Sequence, residues 1–109
     1  MAYDEGLYEL LKDDLAERQG LVEKRMFGGI AFMLNGNMLC GVHKDGAMYR
    51  VGKDNEAAAL AVPGAKPMAF TGRRMGGFIE AGSEAMAADD ARAALLRMAL
   101  EYVTALPPK

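Results

Sequence analysis

Apolar residues recur at Leu7, Leu10, Leu11 and Leu15, while Glu9, Lys12, Asp13, Asp14, Glu17 and Arg18 fill the intervening positions. That spacing is one face of an α-helix. It predicts a helix over 4–18, capped at its start by Asp4 and stopped by Gly20. The period then changes. Residues 22–26 form a candidate strand that Phe27-Gly28-Gly29 interrupts, and residues 30–34 are almost wholly apolar. Asn35-Gly36 follows at once. This dipeptide suits the two positive-φ positions of a type I′ turn, so residues 37–43 are expected to return as a hairpin partner. Lys44-Asp45-Gly46 makes a second tight turn, and residues 47–51 complete a meander.

After Gly52, Asp54 opens a short Ala-rich helix over 55–61 that Pro63-Gly64 ends. Residues 68–70 and 78–81 read as two further short strands. Between them Thr71-Gly72-Arg73-Arg74-Met75-Gly76-Gly77 reads as a flexible basic loop. Asp89 or Asp90 is expected to cap a last helix carrying one apolar stripe of Ala91, Leu95, Met98, Ala99, Tyr102 and Leu106, with Pro107-Pro108 beyond it. The order α-β-β-β-α-β-β-α predicts an α+β fold: a two-layer sandwich on a mostly antiparallel five-stranded sheet, in one domain over 1–109. Residues 30–34 and 37–42 put large apolar side chains on both faces of that sheet. Helices can cover one face, so a two-fold dimer is expected to hide the other.

Charge and composition narrow the function classes. With 13 basic and 15 acidic residues the net charge is −2, which disfavours direct nucleic-acid binding through phosphates. No apolar run approaches a membrane span, no signal-peptide pattern opens the chain, and Cys40 is the one cysteine. These features point to the cytoplasm and to no membrane partner. The 9 methionines in a chain without tryptophan are either flexible core filler or an adaptable binding surface.

Candidate chemistry is sparse. Cys40 and His43 are three apart on a predicted strand, so their side chains point to opposite faces and cannot form a nucleophile–base pair. Cys40 is expected to be buried, and His43 to be exposed at a strand end. No paired histidine or cysteine spacing suggests a metal, and neither Gly-Gly matches a phosphate-loop pattern. We therefore expect no catalytic residues, no cofactor and no enzyme activity. Charge leaves one candidate: Lys24, Arg25, Arg73 and Arg74 stand beside Gly-Gly pairs, where guanidinium forks and bare amides could hold an anion or an acidic partner. Gly76 and Gly77 belong to that candidate site.

The two segments form a near-repeat: Arg25-Met26-Phe27-Gly28-Gly29-Ile30 and Arg74-Met75-Gly76-Gly77-Phe78-Ile79. The first of them, the hairpin after it, Met48-Tyr49-Arg50-Val51, Pro67-Met68-Ala69-Phe70, Met75-Gly76-Gly77-Phe78 and the closing helix together resemble the TfoX (Sxy) N-terminal domain family. The resemblance covers about residues 4–106, and Phe78 fits the family's aromatic position. It implies a non-enzymatic protein tied to regulation of natural competence, with the transcription machinery and a cyclic-AMP receptor protein as partners. It also implies a C-terminal domain in full-length members, which this chain, ending at Lys109, is expected to lack. The alternative kept open by the residues is a small-molecule or anion-binding domain using the Arg73-Arg74 loop.

Overall fold

The computed structural model describes residues 3–26, 28–44, 46–70 and 73–109, with the side chains of Phe70 and Arg73–Met75 outside the description. The first helix, α1, runs Glu5–Asp14. The Asp4 carboxylate accepts from the amides of Gly6 at 2.8 Å and Leu7 at 3.4 Å, as its position predicts. The helix stops before Gly20, with Leu15 at its C-cap. Strands β1 (Leu21–Met26), β2 (Gly29–Leu34), β3 (Asn37–His43) and β4 (Gly46–Arg50) follow. Asn35 and Gly36 take φ of 54° and 84°, the pair of left-handed conformations that the hairpin reading requires. Phe27 and Asp45, parts of two expected turns, lie outside the described residues.

A 3-10 turn at Lys53–Asn55 leads into α2, Glu56–Leu60. Strands β5 (Ala65–Phe70) and β6 (Arg73–Ala81) are longer than expected. Of the expected 71–77 loop, Thr71 and Gly72 lie outside the described residues, and Arg73–Gly77 belong to β6. Arg74 pairs with Ala69 and Arg73 with Phe70, so backbone pairing extends the hairpin through a segment whose composition suggests a loop. A short α3, Ser83–Ala87, precedes α4, Asp89–Thr104. Nothing local announces α3, which is shorter than an isolated helix can be. Ala88, extended between the two helices, takes the N-cap position of α4 in place of the expected Asp89 or Asp90.

All six strands join one antiparallel sheet in the order β1-β2-β3-β4-β6-β5. The sheet has six strands and not five, because residues 21–26 pair with β2 along their whole length. The helices lie on one face, where Leu11, Leu15, Ala59, Met86, Leu95 and Val103 meet Ile30, Cys40, Val42, Tyr49 and Ile79 in the main core. Between β2 and β3 the register shifts, with Phe32 opposite Cys40 but Met33 opposite Met38. Leu39 is the extra residue of this bulge, and both Leu39 and Cys40 join the helix-side core with no exposed surface.

The second face is not the open apolar surface that the sequence suggests. Ala31, Met38, Met48 and Met68 form a second buried cluster, flanked by Met26, Met33 and Phe78, all of them strand residues. Long unbranched thioether chains can lie across their neighbours on a sheet, which suits them to close a face that no described helix covers. Among the described residues the large apolar side chain left exposed is Val22, on the β1 edge. No described helix is long and apolar enough to cross a membrane.

Candidate functional site

Cys40 and His43 do face opposite ways. Cys40 is wholly buried in the helix-side core, where burial first and the Asp14 carboxylate second push its thiol well above the ordinary range. A thiol so held is a poor nucleophile. His43 is buried too, contrary to its expected exposure. The end of β3 is flanked by β4 and then β6, and Glu80 of β6 reaches within 3.6 Å of the His43 Nε2. Glu80 also pairs with Lys66 of β5 at 3.1 Å. Sequence position at a strand end says nothing of the strands that later pack beyond it.

The expected basic site divides in two. Lys24 and Arg25 are exposed on β1, at one edge of the sheet. Gly76 and Gly77 lie on β6, four strand positions away, roughly 19 Å along the sheet at ordinary strand spacing. Arg73 and Arg74 belong by backbone to β6, and the positions of their side chains are outside the description. The structure thus does not bring Lys24 and Arg25 together with Gly76 and Gly77.

What gathers around Gly76 and Gly77 instead is a cleft of about 480 Å³, lined by the end of β4, the 3-10 turn, β6 and the last turns of α4. Its shape follows from backbone bonds. The Gly77 carbonyl accepts from the amides of both Val51 and Gly52 at 2.9 Å, which holds β6 against the strand end. Gly52 turns the chain there with φ 84°, and a Cβ at that position would clash with the Tyr102 ring. Only glycine lets the ring of α4 settle on this turn. The Asn55 side-chain amide donates to the Val51 carbonyl at 3.2 Å and braces the turn from the other side.

Into this cleft projects Arg50, half-buried at the end of an otherwise buried strand. Its guanidinium carbon lies 5.8 Å from the centre of the Phe78 ring and 5.5 Å from that of Tyr102. Both distances are within cation–π range. Lys53 adds a second cation, and Asp54 and Glu101 supply two carboxylates. The Gly77 amide donates to the Glu56 carboxylate at 3.3 Å. The described lining residues include no cysteine, histidine, serine or threonine, and among the described residues no three His, Cys, Asp or Glu side chains cluster as metal ligands do. The arrangement offers recognition by charge and ring faces.

Arg50, Lys53 and Tyr102 are absent from the sequence-derived site. Arg50 gives one local signal, a cation set within the apolar run 47–51, next to its last residue Val51. Tyr102 reads as one more member of an apolar stripe, and nothing local tells that its ring meets Gly52.

Elsewhere Arg92 is buried and joins three elements: its Nε donates to Asp14 at 3.0 Å, a terminal nitrogen to the Met86 carbonyl at 2.9 Å, and the other pairs with Asp89 at 2.9 Å. The Asp14 contact above all raises its pKa, so it stays charged while tying α1 and α3 to α4. This is a structural ion network.

Compared with known proteins, the chain matches the family model described as TfoX N-terminal domain over residues 13–103. No curated protein and no solved structure matches it.

Proposed function

Because the chain belongs to the TfoX N-terminal domain family, we propose that it is a non-enzymatic regulatory module that binds a protein partner, with the Arg50 cleft as its contact site. The transcription machinery is the partner class that the family resemblance favours. The observation that carries the reading is the guanidinium of Arg50 within cation–π range of Phe78 and Tyr102 at the mouth of a glycine-walled cleft. Arginine and aromatic residues at one spot are the usual anchors of protein interfaces. The site is built for contact, and its described lining brings no nucleophile and base together.

Affinity capture from a native lysate tests this. The wild-type chain should retain a protein that the Arg50→Glu, Lys53→Glu double variant loses, while both bind the resin equally and melt at similar temperatures. Retention that ignores these substitutions would overturn the assignment of the cleft. A second reading, a small-anion site, is supported by the cavity's size, which lies within the range of roughly 300–1,000 Å³ usual for ligand pockets. In that reading Arg73 and Arg74, next to Gly76 and Gly77 on β6, supply further charge. Isothermal titration with inorganic phosphate separates it from the first.

A further inference from the structure

The ligand class of the cleft can be drawn from its charges. Arg50 lies within cation–π range of two rings that come from different elements, β6 and α4. A side chain attracted to both has lost rotamer freedom before any ligand arrives, so less entropy remains to be lost on binding. A ring face attracts the cation without supplying a lone pair, which leaves the planar N–H fork suited to a carboxylate. The wall opposite already accepts that chemistry: the Gly77 amide donates to a carboxylate oxygen, that of Glu56.

The lining also sets an upper limit on ligand charge. Arg50 and Lys53 are balanced by Asp54 and Glu101. A phosphate dianion would bring two negative charges up to two carboxylates, with at most one O–H donor to offer them. A single carboxylate carried on a peptide brings backbone N–H groups that can pair with those acids. We infer that the cleft seats the side-chain carboxylate of an Asp or Glu in a partner protein's segment, forked by Arg50 with Lys53 beside it. This inference rests on the binding-module reading and deepens it.

Titration of the ¹⁵N-labelled chain with the blocked peptide Gly-Gly-Glu-Gly-Gly, its Gln counterpart and inorganic phosphate, each alone, tests it. The Glu peptide should shift the Gly76 and Gly77 amide signals, and the Gln peptide should bind about tenfold more weakly, as loss of one charge-assisted pair implies. Arg50→Lys keeps the charge but loses the fork, and should weaken the Glu peptide by a similar factor. Lys53→Gln, on an exposed turn, should weaken it less and serves as the variant least able to disturb folding. Equal binding of the two peptides, no binding of either, or Arg50-dependent binding of phosphate without the Glu peptide would each overturn the inference. If the peptide fails while lysate capture still depends on Arg50, the ligand class is wrong and the binding-module reading stands.

Discussion

Two segments of nearly the same sequence end in different surroundings. Arg25 and Met26 end β1, the edge strand exposed along its middle; Gly28 is exposed and Gly29 begins β2. Arg74-Met75-Gly76-Gly77 lies in β6 beyond its last β4 pair at Phe78, where the register with β5 shifts, and its glycines face a turn and the end of α4. At Gly28 a Cβ would meet nothing within 4 Å, whereas at Gly52, which forms the wall beside Gly77, it would strike an aromatic ring. The same short motif thus has an exposed turn glycine, Gly28, and a Gly29 packed against the Val42 carbonyl in one place, and lines a cleft in the other. Local composition marks where backbone is bare. The elements that pack around it decide whether that backbone becomes a site.

The largest effect is expected from filling the cleft wall. Gly52→Ala combines a left-handed backbone with a clash on Tyr102 and should cost about 3 kcal/mol. That is a fall of roughly 12–24 °C in Tm for a chain of this size. Gly28→Ala has the backbone cost alone, about 1 kcal/mol. Thermal melts of the two variants side by side check the difference, and equal losses would break the comparison. Next, Cys40→Ser puts a hydroxyl into the helix-side core and should cost about 1–2 kcal/mol, while partner capture is unchanged. Consistent with that burial, the native thiol should react with a small electrophile only as fast as the chain opens; rapid labelling would show otherwise.

Smaller effects sharpen the contrast between the two basic groups. Lys24→Ala with Arg25→Ala should change stability by less than about 0.5 kcal/mol, as exposed charges usually do, and leave lysate capture intact. Arg73→Ala with Arg74→Ala should also spare the melting temperature but weaken capture; a large fall in Tm would make those arginines structural instead. The β1 end has its own titration. Tyr8 donates to Glu23 at 2.6 Å, and that bond above all pushes the phenol up to about 12. The raised pKa means that this contact stabilises the fold fully below the ordinary tyrosine pKa of about 10. Its contribution is lost as pH climbs through 12. Ultraviolet titration should find Tyr8 ionising late, with Tyr49, whose phenol burial also raises, later still, and Tyr8→Phe should remove one late step together with part of the alkaline destabilisation. Finally, the β1 edge with its exposed Val22 is the place among the described residues where two-fold pairing can be tested. Sedimentation equilibrium at micromolar concentration should give a dimer mass that Val22→Lys returns to the monomer; a wild-type monomer would end the dimer proposal.

Much of the architecture was legible because its causes are local. The leucine spacing of α1, the Asp4 cap, the Asn35-Gly36 turn and the alternation that parts Cys40 from His43 depend on residues a few positions apart, within reach of propensity and sterics. The family resemblance was legible too, in an ordered set of short segments. Of the site, Gly76 and Gly77 were visible as bare backbone beside charge. Arg50, Lys53 and Tyr102 were not, because their meeting requires β6 to pair with β4 and α4 to end over Gly52. The burial of His43, the register shift at Leu39 and the methionine closure of the second face have the same origin. Each is settled by contacts between segments distant in the chain, where packing against a neighbour outweighs the preference of any single residue.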